Sequence, residues 1–212
     1  MNIYALYGFL LPFFRKRRMS EFIRTFHPTP ETSILDVGGG QLNWELSGLE
    51  NRVVILDVLM PDDGSRLSSK FIFVNGDGMA LPFRDRGFDA VHSNSVIEHL
   101  HSWDNQKRFA AEMMRVSENL WIQTPARSFF FEPHLLTPFV QYLPRKVKEA
   151  ILRNFTSWGW ITRPTHEDIL SFLDEVRLLT CEEMQQLFPG CEIRKEKLLF
   201  MTKSYIAVRV AE

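Results

Sequence analysis

The stretch Ile34-Leu35-Asp36-Val37-Gly38-Gly39-Gly40 decides the fold. Its first four residues read as a short buried strand carrying one acid, and three glycines follow at once. Glycines at a strand-to-helix junction let the backbone pass close to a ligand that any β-carbon would push away. Alone, such a turn is a weak signal, because glycine-rich turns follow strands in many nucleotide folds. The surrounding sequence narrows the choice. A second apolar strand ends on Asp57, 21 residues after Asp36. A third acid, Asp77, stands in Asn75-Gly76-Asp77-Gly78-Met79-Ala80-Leu81-Pro82-Phe83, and Phe88-Asp89-Ala90-Val91 then leads into Val96-Ile97-Glu98-His99-Leu100.

Working outward, short apolar strands alternate with helical stretches. Residues 33–37, 52–57, 70–74, 88–94 and 120–124 read as strands, and residues 42–49 and 103–116 as helices. Met60 to Ser69, with one proline, one glycine and three serines, is a poor helix and is expected as a loop. Ser95-Val96-Ile97-Glu98 matches a capping box and predicts a helix start at Ser95. This alternation predicts a largely parallel sheet with helices on both faces. From Pro125 the rhythm breaks for about 55 residues rich in Phe, Pro and Trp, within which 146–154 and 166–176 look helical. Thr180-Cys181-Glu182-Glu183 is a second capping box. Residues 192–200 and 204–210 then read as a closing β-hairpin.

Composition bounds the rest. The chain has 212 residues, enough for one α/β domain with an elaboration. Its 25 basic and 26 acidic residues nearly balance, so total charge gives no argument for a nucleic-acid partner. Two cysteines, Cys181 and Cys191, form no disulfide framework and fit a reducing, cytoplasmic compartment. The six histidines are scattered, none paired with a cysteine at zinc-type spacing, so no metal set is visible. Ile3 to Phe14 is almost wholly apolar, and Arg15-Lys16-Arg17-Arg18 follows it. Twelve residues cannot span a bilayer, which takes about 20. A signal peptide has its charges before the apolar run, not after it. Two readings stay open for residues 1–29. One is a helix packed on the domain through Met19, Phe22, Ile23 and Phe26. The other is an anchor at the inner membrane face through residues 1–18.

Together, the glycine turn, the three strand-end acids and the Asp77-x-x-x-Leu81-Pro82-Phe83 run resemble a class I S-adenosylmethionine-dependent methyltransferase of the small-molecule, methyltransferase-11-like type. The resemblance covers about residues 30–124 and the closing strands. It implies a doubly wound, seven-stranded, mostly parallel sheet in the order 3-2-1-4-5-7-6, within a domain over 30–212, with a helical lid inserted over 125–179. It also implies S-adenosylmethionine as cofactor. By resemblance, Asp36, Gly38 and Gly40 meet the methionine part, Asp57 takes the ribose hydroxyls, and Asp77 meets the adenine amino group. Met79 packs on the adenine ring, and Asn94 lines the surroundings of the methyl. The chain departs from the fuller motif at Leu42, where a third glycine often stands. The segment from Thr124 through Pro138, with Leu143-Pro144-Arg145 and Thr202-Lys203-Ser204, resembles a bacterial subgroup linked with cell-envelope glycan or lipid biosynthesis.

A sulfonium carries its own activated methyl, so the protein's task is to align acceptor, methyl and sulfur and exclude water. A hydroxyl acceptor also needs a base, and His99 and His134 are the candidates. Glu98 is expected as a helix cap. Glu132 and His134 could anchor a polar acceptor group under a roof of Phe129 to Phe131 and Trp158 to Trp160. The expected acceptor is a small molecule or is lipid- or glycan-linked, methylated at oxygen. No Asn/Asp-Pro-Pro-Tyr run of nucleic-acid methyltransferases is present. A non-catalytic scaffold that retains the fold is the alternative. A dinucleotide oxidoreductase lacks its third glycine, since Asn43 stands there.

Overall fold

The structure of the chain, a computed structural model, describes residues 3–59, 69–132, 134–135 and 137–211, with side chains from Phe14 onward. Seven strands form one sheet: β1 (Ile34–Val37), β2 (Val53–Asp57), β3 (Phe71–Asn75), β4 (Ala90–Asn94), β5 (Leu120–Pro125), β8 (Glu192–Leu198) and β9 (Met201–Arg209). Their order is β3-β2-β1-β4-β5-β9-β8, with the first five parallel and the last two antiparallel. This is the expected order, β8 and β9 being its sixth and seventh strands. The central strands β1, β4 and β5 are buried almost throughout, as parallel strands covered on both faces must be. Most of the expected loop at 60–69 lies outside the described residues.

Two apolar layers cover the sheet. On one side α3 (Trp103–Val116) and α7 (Cys181–Leu187) bury Phe109, Met113, Val116, Met184 and Leu187 against Leu35, Val91 and Ile122. On the other, α1 (Ile3–Phe26) and α2 (Gln41–Ser47) bring Met19, Phe22 and Trp44 against Ile34, Ile55 and Trp121. Phe22 is fully buried and meets Trp44 and Trp121 edge to face. Arg18 also turns inward, to a buried ion pair with Glu196 at 3.3 Å. The second half of α1 is therefore a packed helix; the side chains of 1–13, which the anchor reading needs, lie outside the described residues. No described helix is long and apolar enough to cross a membrane.

Both capping boxes were legible as motifs, and only one forms. Thr180 Oγ1 accepts the Glu183 N–H, and the Glu183 carboxylate accepts the Thr180 N–H, opening α7. Ser95 instead has φ +58°, in the left-handed region, and only a 3-10 turn over Ile97–His99 follows. Glu98 is thereby swung away from the cap and into the protein.

Residues after β5 form an insertion with its own small core, called the lid below after the sequence expectation. A two-residue hairpin, β6 (Phe131–Glu132) with β7 (Thr137–Pro138), precedes α4 (Arg145–Phe155), α5 (Ser157–Thr162) and α6 (His166–Glu175). Leu135, Val140, Leu152 and Ile169 form the core, with Trp158 and Phe172 against it. The lid rejoins the sheet where Ala126 bridges Leu179 and the Arg177 N–H reaches the Glu98 carbonyl at 2.7 Å.

Candidate active site

A cavity of about 450 Å³ opens beyond the carboxyl ends of β1, β2 and β3, beside the turn after β4. Ligands of open α/β sheets bind at such a place. Its lining includes Gly38, Asp57, Asp77, Met79, Val96 and His99. At Asp57 one carboxylate oxygen accepts the Leu59 N–H at 2.9 Å, and at Asp77 one accepts the Met79 N–H at 2.8 Å. Each bond orients its acid and leaves the other oxygen without a protein partner among the described residues. Carboxylates with a spare oxygen are what hydroxyl and amino donors of a nucleoside need.

Gly38 has φ +69°, and a Cβ there would fall 2.4 Å from Val96 Cγ2; at Gly39 a Cβ would fall 1.7 Å from Asp36 Oδ2. Only glycine lets the turn lie this close to both.

Asp36 is not part of the cavity wall. It is fully buried, with Oδ1 2.8 Å from His92 Nδ1 and Oδ2 accepting the Trp44 indole N–H at 2.8 Å. Asp36 and His92 are direct neighbours in the β1–β4 register. The acid thus ties β1, β4 and α2 together beneath the glycine turn, both oxygens committed, and it holds the turn rather than facing a ligand. Gly40 and Asn94 also stand outside the cavity lining.

At His99, in the cavity wall, the sequence-predicted histidines meet, with His134 behind it outside the lining. The rings of His99 and His134 are 4.9 Å apart and nearly perpendicular. His99 Nδ1 is 2.9 Å from Glu175 Oε1, and His134 Nδ1 is 2.7 Å from Glu132 Oε1. Burial opposes protonation of His134, but the hydrogen bond and charge of Glu132, with Glu98 and Glu175 beyond, hold its pKa above the ordinary value. Glu98, expected as a cap, is completely buried beside them. Its Oε2 accepts the Thr124 hydroxyl at 2.9 Å, and burial pushes its carboxyl pKa up. Glu175, 76 residues from His99, and His101, also in the cavity wall, carried no local signal of their place.

A second cavity, of about 250 Å³, lies under the lid, with Arg127, Glu132, Gln141, Lys148, Phe172 and Arg177 in its wall. Burial, then the nearby Arg127, hold the Lys148 pKa below its ordinary value. Glu132 is common to this wall and to the histidine pair. The expected aromatic roof is not built: Phe129 packs in the main core, Trp158 in the lid core, and Trp160 is exposed. The phenylalanines and Trp158 fill apolar space elsewhere, and Phe172 and Leu173 of α6 line the cavity instead.

Residues 35–119 match the family model described as a methyltransferase domain. No curated protein matches the chain. Among solved structures, an S-adenosylmethionine-dependent methyltransferase from Methanosarcina mazei superposes with a TM-score of 0.53 at 16% identity, covering 90% of this chain and 98% of that one. The 1,6-didemethyltoxoflavin-N1-methyltransferase of Burkholderia thailandensis, solved with 1,6-didemethyltoxoflavin and S-adenosylhomocysteine, gives 0.51 at 14% identity, covering 93% and 79%. The phosphoethanolamine N-methyltransferase 2 of Haemonchus contortus, with S-adenosylmethionine, gives 0.53 at 14% identity over 84% and 38%. At these identities the structural likeness is one of fold. Residues 35–119 thus form a methyltransferase domain on a sheet of that fold, which supports methyl transfer with S-adenosylmethionine as cofactor.

Proposed function

We propose that the enzyme methylates an oxygen of a small-molecule acceptor, free or carried on a lipid or glycan. The observation that carries this reading is the histidine pair at one end of the cofactor cavity, each imidazole oriented by a carboxylate. When bound, the cofactor supplies a methyl activated by its sulfonium. Asp57 accepts from the ribose hydroxyls, Asp77 from the adenine amino group, and Met79 covers the ring. Gly38 gives the backbone its approach to the methionine part. His99 and His134 face the acceptor hydroxyl, where a free Nε2 takes its proton as the oxygen attacks. Arg127 and Lys148 suit a negatively charged part of the acceptor, since two cations near one another, Lys148 half-buried, gain from an anion between them.

One feature favours an acceptor at a membrane face. Leu199 and Phe200, at the β8–β9 turn, are 83% and 98% exposed, and Lys203 just beyond lies 4.2 Å over the Phe14 ring. The exposed turn thus lies three residues from a contact with Phe14, at the middle of α1.

The test is an acceptor screen with S-adenosylmethionine carrying an isotopically labelled methyl, across hydroxylated metabolites, carboxylates and lipid-linked glycans. Label recovered as an O-methyl ether or ester supports the reading. Label on nitrogen or carbon overturns it.

A further inference from the structure

Among the described residues, Glu98, His99 and His134 each offer one donor atom, and these atoms all lie within 4.8 Å of one another. They come from two distant segments, the turn after β4 and the β6–β7 hairpin, so no sequence spacing reveals the set. Three observations set it apart from a chance gathering. Each imidazole has its Nδ1 against a carboxylate, Glu175 for His99 and Glu132 for His134. That is how metal-binding histidines are held, with Nδ1–H donated outward and the Nε2 lone pair left to the ion. Glu98 is fully buried, and while its Oε2 accepts from Thr124, its Oε1 has no side-chain partner among the described residues. A buried carboxylate oxygen without a donor or cation is costly, and such an atom needs an explanation. Finally, three carboxyl groups, Glu98, Glu132 and Glu175, gather around the two imidazoles, a donor set rich in oxygen and nitrogen ligands.

We propose that Glu98, His99 and His134 hold a divalent transition-metal ion of the zinc type at the acceptor end of the cofactor cavity. Two imidazole nitrogens and one carboxylate oxygen suit such ions. Three protein ligands leave a coordination position open, as in catalytic rather than structural sites. Tetrahedral bonds of about 2.1 Å set ligand atoms about 3.4 Å apart, so the side chains close by roughly an ångström on binding.

The use of the ion in methyl transfer rests on the proposed oxygen chemistry, and the site itself does not. An acceptor hydroxyl in the open position loses its proton to water, because coordination lowers its pKa. The oxygen lone pair forms the O–CH3 bond as the S–CH3 bond breaks. The electron pair of that bond returns to sulfur, leaving S-adenosylhomocysteine as a neutral thioether. With the ion bound, both Nε2 lone pairs are ligands, so water takes the proton in place of the histidine that takes it in the metal-free protein.

The test uses chelator-treated full-length protein and reads metal binding alone, with neither cofactor nor acceptor present. It is titrated with Zn2+, and with Co2+ as a spectroscopic stand-in. One ion per chain is expected, with the visible absorption of cobalt in a low-symmetry nitrogen and oxygen site. His134→Gln and His99→Gln should weaken binding by about 100-fold or more, and Glu132→Gln or Glu175→Gln by about 10- to 100-fold. Asp57→Ala should leave it unchanged. Glu98→Gln is secondary, because that side chain is fully buried; the part-exposed His134 carries the test, with its thermal midpoint checked alongside. Absence of saturable binding, or binding that survives both histidine variants, overturns the proposal. Failure to find an oxygen acceptor leaves this result standing, and loss of the metal site leaves the acceptor screen standing.

Discussion

The sheet half of the molecule and the lid that follows β5 are built by different rules. In the sheet half each functional group sits at the end of a strand, and neighbouring strands set its position through backbone register. Asp57 ends β2, and the β2–β3 pairing of Asp57 with Asn75 brings Asp77 to the same rim. In the lid, position comes from side chains meeting across long stretches of chain, such as Glu175 with His99 and Arg177 with Gln106. The Asp57–Asp77 rim is thus held by the fold itself. The His99–His134 pair is held by a small separate core and a few polar ties.

The sharpest way to break this contrast is to exchange the roles of two acids on adjacent strands. Asp36→Ala strands the Trp44 indole N–H and the His92 ring nitrogen in the core, each costing about 1–3 kcal/mol. The denaturant midpoint should fall accordingly, even without cofactor. Asp57→Ala, at the rim, should leave that midpoint nearly unchanged and weaken S-adenosylmethionine binding roughly 10- to 100-fold, as loss of hydrogen bonds to a charged group implies. Calorimetric titration beside urea unfolding reads both effects. If Asp36→Ala lost only affinity, or Asp57→Ala only stability, the assignments would be reversed.

A somewhat smaller effect should separate the lid from the sheet. Leu152 is completely buried in the lid core, and Leu152→Ala should cost about 2–5 kcal/mol there. Hydrogen exchange should speed up over 137–175 while the central strands β1, β4 and β5 stay protected. Cofactor affinity should hold, and turnover should fall. Equal loosening of sheet and lid would mean that they share one cooperative core.

The same contrast explains what the sequence reveals. Strand runs, the helix over 103–116, the Thr180 capping box and the closing hairpin are local patterns, and each resolves as read. The fold was legible from Asp36, Asp57 and Asp77 because βα repeats impose a spacing. Yet the same pattern did not distinguish the buried Asp36 from the two acids at the rim, since burial depends on Trp44 and His92 turning toward it. The Ser95 capping box failed because a left-handed residue redirects the chain, and Glu98 then finds Thr124 on β5. His99 and His134 were each visible as polar residues in apolar company. Their pairing was not, because it needs the β6–β7 hairpin to fold back beside the turn after β4.

The smallest expected effect tests whether the Asp77 rim has a polar clamp of its own. Arg115 on α3 grips Glu112 with two bonds, of 2.8 and 2.7 Å, and donates to the Leu81 and Phe83 carbonyls. Glu112 in turn accepts the Leu81 N–H at 2.7 Å, so the loop after Asp77 is pinned to the helix. The Arg115 hydrogen bond, helped by the Leu81 N–H and opposed by burial, holds the Glu112 carboxyl below its ordinary pKa. A carboxyl depressed in the folded state stabilises the fold above its unfolded value, about 4.3, and that stability is lost as pH falls through the lower folded value. Unfolding midpoints should therefore drop as pH is lowered from about 5 into the acid range, and Glu112→Gln should remove part of that slope. The difference should stay below about 1 kcal/mol, the scale of partly exposed pairs. Because the clamp holds the loop after Asp77, Glu112→Gln should also weaken S-adenosylmethionine binding slightly while leaving exchange in the lid unchanged, if Asp77 meets the cofactor as proposed. A variant with the wild-type pH slope would remove Glu112 from the set of groups that hold this rim.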